Sequence, residues 1–128
     1  MRGMYQLCLQ RDFEASHFLI GGDWGAENAI HAHPYRLEWI LEGQELDQHG
    51  YLVDLTNLEE HLEVVLSRYR GKLLNDLPEF AGLNPSLEHF CRVISDRLGL
   101  LLSDSGLQAH MVRLWESETA WAAFRQTL

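Results

Sequence analysis

Cysteine is scarce in this 128-residue chain. Cys8 and Cys91 are the only two, too few for the disulfide framework of a small secreted domain and too far apart to make a metal pair by spacing. They are expected to be small buried hydrophobes in a reducing compartment. Basic residues are also few: ten Lys and Arg face 19 Asp and Glu, a formal net charge of -9. Such an average surface repels phosphate polyanions, which argues against nucleic acid or an anionic membrane as partner. No stretch approaches the roughly 18 apolar residues of a membrane span. Arg2-Gly3-Met4-Tyr5-Gln6 has no apolar signal core, and there are no repeats, linkers or low-complexity segments. The expectation is one soluble, cytoplasmic domain over residues 1–128, with an ordinary 46% of hydrophobic residues and mass enough for a core.

What the chain does have is His31-Ala32-His33, at the head of a run that reads as a β-strand over 31–43. Strand side chains alternate, so His31, His33, Tyr35, Leu37, Trp39 and Leu41 share one side, and two imidazoles sit at one end of an otherwise apolar face. Neutral imidazole is a good Zn²⁺ ligand, and two from same-face positions can hold one ion. A catalytic site then wants a third protein ligand and an open position; His17 is the candidate.

Before this strand, Tyr5, Leu7 and Leu9 alternate with Gln6, Cys8 and Gln10, which predicts a first strand over 4–20, bent near Arg11-Asp12. Residues 21–30, with three glycines and no alternation, read as a loop that delivers Glu27 to the second strand. Gln44 to Gly50 reads as a hairpin connection into a third strand at Tyr51-Leu52-Val53. Pro34 lacks a backbone donor and belongs at an edge or a bulge. Thr56-Asn57-Leu58-Glu59 has the capping-box form, predicting a first helix over 57–70. Asn84-Pro85 reads as a cap followed by proline at the first helical position, predicting a second helix over 85–102. Alternation resumes over 107–116 as a last strand, and 119–128 reads as a short helical turn. The pattern is α+β, with helices on one face of an antiparallel sheet.

The ordered set Phe13-Glu14-Ala15-Ser16-His17, His31-Ala32-His33-Pro34-Tyr35, Gly50-Tyr51-Leu52-Val53-Asp54-Leu55, Leu74-Asn75-Asp76-Leu77-Pro78, Asn84-Pro85-Ser86-Leu87-Glu88 and the late Glu116 resembles the 6-pyruvoyl-tetrahydropterin synthase and 6-carboxy-tetrahydropterin synthase family. The resemblance implies the tunnelling fold, a four-stranded antiparallel sheet with two helices on one side, whose subunits join into a barrel, commonly a hexamer. It implies catalytic zinc on His17, His31 and His33, a small-molecule reduced pterin as substrate, and Glu116 as anchor of the pterin ring. Ser86 and Glu88 match a segment that helps build the pocket.

The departures bear on mechanism. Family synthases carry a cysteine four residues before the first histidine of a His-Gly-His motif; here that position is Glu27, and the glycine is Ala32. The family's aspartate-histidine pair is replaced by Arg70 and Gly71. Some family members with glutamate near the cysteine's place are associated with cleaving the dihydroneopterin side chain to 6-hydroxymethyl-dihydropterin, with a shorter glutamate-to-histidine gap than this one.

Two carboxylates thus have separate expected tasks. Glu27, shielded from water beside the metal, is the candidate general base, since desolvation raises a carboxylate's pKa toward neutrality. Glu116 can accept two hydrogen bonds from the amino-pyrimidinone edge of a pterin. A solvated loop acid is the rival account of Glu27. Asp54 is expected to cap a helix, Arg70 and Lys72 to form a solvated helix end or meet a phosphate, and His49, His61, His89 and His110 to be surface or internally satisfied histidines. Two functions follow: a zinc-dependent lyase acting on dihydroneopterin triphosphate or a relative, or a zinc- and pterin-binding homologue that has lost turnover and serves as a binding or assembly protein.

Overall fold

The computed structural model describes residues 3–128. Period-two alternation builds its sheet: β1 (Tyr5–His17), β2 (His31–Gly43), β3 (Ala109–Trp115) and β4 (Trp121–Thr127) pair antiparallel in the order β1-β2-β3-β4. One face carries Leu9, Phe13, Tyr35, Leu37, Trp39, Leu41, Val112 and Leu114, all buried. Removing each of the larger of these from water contributes about 1.5–3 kcal/mol. Across that face lie α1 (Leu55–Ser67) and α2 (Leu87–Gly99), whose one-sided stripes bury Leu58, Leu62, Val65 and Leu66, and Phe90, Cys91, Ile94 and Leu98. This is the expected α+β arrangement of four antiparallel strands with two helices on one face.

The order of elements is corrected. Tyr51-Leu52-Val53 is not a strand: Leu52 and Val53 pack against the core from an irregular segment. The fourth strand is instead the tail, Trp121–Thr127, expected as a helical turn. Ala122, Phe124 and Gln126 face α2 while Trp121, Ala123 and Arg125 are exposed. The helix starts shift too. Asp54 caps α1 as expected, its carboxylate accepting from Thr56 N at 3.0 Å, so the helix opens at Leu55 rather than at the start that the capping-box form of Thr56 to Glu59 predicts. Ser86, not Asn84, caps α2, with Oγ accepting from His89 N at 3.1 Å. Cys91 is buried and its thiol is pushed up to about 12 by desolvation, but Cys8 is exposed, against expectation. His110 lies on the buried face rather than a polar one.

No bend interrupts β1 at Arg11-Asp12, and no bulge occurs at Pro34: the pairing runs unbroken from Tyr5↔Gly43 to His17↔His31, with Pro34 opposite Glu14. Proline is accommodated because β3 stops at Trp115, opposite Arg36, so β2 is an edge from residue 35 back to 31. That mismatch of strand lengths leaves a cleft beside the head of β2. On the other side of β1, Gly71–Leu73 adds a short parallel bridge, with Gly71 N donating to Glu14 O at 2.7 Å and Ser16 N to Lys72 O at 2.8 Å. Gly71 has φ +71°, a conformation that favours glycine.

Candidate metal and pterin site

Unbroken register sets the site. Because His17 pairs with His31 and Ala15 with His33, the three imidazoles emerge side by side on the inner face at one end of the β1–β2 ladder. His17 Nε2 and His33 Nε2 each lie 3.0 Å from His31 Nε2, and one ligand atom from each residue falls within 4.8 Å of the others. The rings meet edge to face, at interplanar angles of 72°, 79° and 77°.

The remaining nitrogens decide the protonation. His17 Nδ1 is 3.0 Å from Pro85 O and His31 Nδ1 is 2.8 Å from Ala29 O. A carbonyl only accepts, so both Nδ1 atoms carry the proton and, in the neutral rings, both Nε2 atoms present lone pairs. Two lone pairs 3.0 Å apart repel unless a proton or cation lies between them. Tetrahedral Zn–N bonds of about 2.0–2.1 Å put nitrogens roughly 3.3 Å apart, close to the spacing seen. The donor set therefore fits a nitrogen-seeking divalent cation, with backbone carbonyls fixing two of the ligands' tautomers. Burial lowers the pKa of His17, reinforced by the neighbouring His33 and His31, which keeps this ligand neutral.

The scaffolding is largely asparagine. Asn75 accepts from Phe18 N at 3.0 Å and donates to Phe18 O at 2.9 Å, and Asn84 accepts from Ile20 N at 2.8 Å, so the chain leaving His17 is gripped from the helix side. Asn28 donates to Leu19 O and Gly22 O and accepts from Trp24 N, closing the loop into a single turn, Gly25–Asn28, that carries Glu27. Glu27 is exposed, not shielded from water as expected, so desolvation does not act on its carboxylate; its backbone carbonyl accepts from Leu19 N at 2.8 Å. Its charge is felt by both His17 and Tyr35.

Tyr35 connects the triad to the cleft. Its ring packs 5.8 Å from His33 and stacks on Phe13, and its hydroxyl lies 3.5 Å from His17 Nδ1. Burial holds its phenol well above the ordinary range, and the carboxylates of Glu116 and Glu27 push it the same way. Glu116, half-buried just past β3, lines an open groove of about 820 Å³ with Pro34, Tyr35, Arg36 and Trp115. The groove is the cleft left where β3 stops short.

Not every expected residue faces this centre in the same way. Ser86 spends its hydroxyl oxygen on capping α2, next to the Pro85 carbonyl that orients His17. Glu88 is exposed in the first turn of α2, close enough to Cys91 to act on its thiol. Arg70 pairs with Glu63 at 3.3 Å, a surface contact. The Pro85 and Ala29 carbonyls and Asn28 were not anticipated; backbone oxygens leave no mark in a sequence. Also unanticipated is Glu79, whose carboxylate binds Arg68 bidentately at 2.6 and 2.7 Å, Tyr69 Oη at 2.9 Å and Arg97 at 2.9 Å. The Arg68 guanidinium is the main cause holding it at about 2.

Three converging imidazoles at the end of a strand ladder, beside a carboxylate-lined cleft in a four-stranded antiparallel sheet backed by two helices, describe a pterin-synthase type of protein, and comparison with known proteins agrees. A family model for 6-pyruvoyl tetrahydropterin synthase matches residues 6–127, and the chain belongs to that family. It is 27% identical over 129 residues to a 6-carboxy-5,6,7,8-tetrahydropterin synthase of Bacillus subtilis, covering 94% of this chain and 86% of the relative. Its fold superposes on the 6-pyruvoyl tetrahydropterin synthase of Caenorhabditis elegans with a TM-score of 0.84, at 18% identity over 98% of both chains. A Plasmodium vivax 6-pyruvoyltetrahydropterin synthase, solved as a glutamate-to-alanine variant of a catalytic residue, gives a TM-score of 0.80 at 17% identity, over 98% of this chain and 99% of that one.

Proposed function

We propose that the chain is a zinc-dependent lyase acting on dihydroneopterin triphosphate or a related reduced pterin, with cleavage to 6-hydroxymethyl-dihydropterin among its possible outcomes. The observation that carries this is the pair of Nε2 lone pairs facing each other at 3.0 Å, each left free because the ring's Nδ1–H donates to a backbone carbonyl. His17, His31 and His33 would hold the ion and leave a fourth position open. Bound there, zinc would acidify side-chain hydroxyls and offset negative charge developing on oxygen. Glu116 would accept the paired donors of the pterin's amino-pyrimidinone edge in the groove, and Tyr35 with Phe13 would wall the ring from water. Ser86 and Glu88 would complete the wall at the start of α2.

Glu27 is the proposed base. For rearrangement it takes a proton from a side-chain carbon beside a hydroxyl. For cleavage it takes the hydroxyl proton instead; the C–C bond breaks, the carbon that bore that hydroxyl leaves as an aldehyde, the bond's electron pair passes into the ring's C=N bond, and a proton returns to the carbon left on the ring. The Plasmodium vivax protein, in which a glutamate is described as catalytic, supports a carboxylate in this role. The chain is further proposed to work as a cytoplasmic homo-oligomer, a hexamer by resemblance, because β4 and the part of β1 before its bridge to Gly71–Leu73 are sheet edges suited to pairing with other copies.

A second reading has its own observation. Arg70 is tied to Glu63 and Gly71 has no side chain, so the positions of the family's aspartate-histidine pair supply no proton-transfer group. That favours a zinc- and pterin-binding homologue without turnover. Incubating zinc-loaded protein with dihydroneopterin triphosphate and its dephosphorylated form, watching for 6-pyruvoyl, 6-carboxy (with acetaldehyde) or 6-hydroxymethyl products, separates the two. Any of these products supports the lyase; tight pterin binding with no product supports the binder.

A further inference from the structure

We infer that His89 is a positioning residue for the metal centre. Through two backbone carbonyls before α2 it holds the His17 ring in the tautomer that leaves Nε2 free, and so the inference rests on the zinc reading above. His17 is only 2% exposed, and its Nδ1–H has Pro85 O at 3.0 Å as its near acceptor, with the Tyr35 hydroxyl farther off at 3.5 Å. The direction of that carbonyl sets the ring. Pro85 O and Ser86 N–H belong to one rigid peptide plane, so whatever pins Ser86 N also aims Pro85 O. Ser86 N donates to Asn84 O at 2.8 Å, closing a γ-turn around Pro85. The turn is of the inverse kind, because the proline ring fixes φ at about −65°.

Asn84 O is therefore the pivot, and its second lone pair goes to His89. His89 Nδ1 lies 2.7 Å from it, and since a carbonyl only accepts, the ring nitrogen donates. The backbone N–H of the same residue donates to Ser86 Oγ at 3.1 Å, so His89 grips both ends of the turn. Asn84 is held on its other side as well, Oδ1 accepting at 2.8 Å from Ile20 N in the chain that leaves His17. Without the His89 donor, Asn84 O keeps one bond, and the Pro85–Ser86 plane can rotate out of a turn that this bond alone maintains. Pro85 O then turns away and the buried His17 Nδ1–H loses its acceptor. The tautomer protonated on Nε2, which cannot bind a cation, gains population.

A plain role in starting α2 predicts something different, because alanine is the better helix former and would replace His89 better than asparagine does. A donor at this place predicts the reverse: the Nδ2 of asparagine sits as many bonds from Cα as the Nδ1 of histidine, whereas the amide of glutamine lies one bond further out. The test is zinc affinity by competition with a chromophoric chelator, on the unaltered chain and on H89A, H89N and H89Q, with urea unfolding of the metal-free proteins beside it. H89A and H89Q should weaken zinc binding about tenfold, the lower end of what loss of a ligand's outer partner costs, and H89N should stay within about threefold of the unaltered chain. The metal-free stabilities should not follow that order. Equal zinc affinity in all four proteins overturns the inference and leaves the metal centre standing. So does an H89N that binds no more tightly than H89A or H89Q, since the donor is then not what matters. If H89A does not fold, H89N against H89Q decides by the same criterion. An unaltered chain that binds no zinc removes the metal reading itself, and this inference with it.

Discussion

The inner face of β2 ends in histidine chemistry twice, and the two ends are wired oppositely. At its start, His31 and His33 join His17 with Nε2 lone pairs turned toward one another. Near its far end His110, opposite Leu41, is fully buried yet has nothing left to give: Nδ1 accepts from Trp39 Nε1 at 3.0 Å and Nε2 donates to Gln126 Oε1 at 2.8 Å. Ser95 and Asp96 extend that network through Gln126. Burial alone therefore does not mark a functional histidine. Unspent lone pairs do, because a buried polar group persists only when something completes it, and at the triad no protein donor does.

Substitutions on the two sides should fail in different currencies. His31→Ala has the largest expected effect: metal content falling below roughly a tenth of the unaltered protein and product formation lost with it, since two imidazoles hold a divalent ion far less tightly than three. Elemental analysis of purified protein checks this, and full occupancy in the variant would erase the contrast with His110. Glu27→Gln should keep the metal and lower kcat by about 10²–10⁴, the usual worth of a positioned base; an unchanged rate removes Glu27 from the mechanism. Glu116→Gln should act on binding, raising the pterin Kd by about 10–100-fold through loss of charge-assisted hydrogen bonds, with metal content unchanged.

How much of this was legible beforehand differs between the same two regions. The face shared by His31, His33, Tyr35, Leu37, Trp39 and Leu41 follows from period-two alternation, and the structure keeps it residue for residue. The third ligand candidate, His17, converges because the register is unbroken, a fact local patterning does not contain. Tyr51-Leu52-Val53 misled because a loop that tucks apolar side chains into the core has a strand's composition. The tail misled in the other direction: Ala122 and Ala123 are helix-tolerant, and an edge strand with one exposed face depends on its neighbour β3 more than on its own residues. Glu79 was invisible because its partners, Arg68, Tyr69 and Arg97, converge only once both helices are placed.

At the structural end the expected cost is in stability. His110→Leu orphans the Trp39 N–H inside the core, while Gln126 keeps its bonds to Ser95 and Asp96, a loss of about 1–3 kcal/mol. Urea unfolding should show it, while metal content stays at the level of the unaltered protein. A variant that loses metal instead would mean the two ends are coupled through β2.

The smallest expected effect is a pH slope, and it has a definite sign. Burial lowers the pKa of His110 below its ordinary 6.5, so between 6.5 and that lowered value the unfolded chain binds a proton that the folded chain refuses. Stability contributed by this group is present above pH 6.5 and declines as pH falls below it, by at most about 1.4 kcal/mol per unit. The geometry agrees with that direction, since the Trp39 N–H is already aimed at Nδ1 and a second proton there would set donor against donor. His17 has a lowered pKa of the same sign, but it is common to the unaltered protein and to His110→Leu, and so cancels when the two are compared. The carboxylates act elsewhere: Glu79, held at about 2, loses its contribution only as pH drops from about 4.5 toward 2. Unfolding free energies of the metal-free proteins from pH 7 to 5 should therefore fall more steeply for the unaltered chain than for His110→Leu. Parallel slopes would show that His110 takes up its proton as readily folded as unfolded, and the contrast between the two ends of β2 would rest on the triad alone.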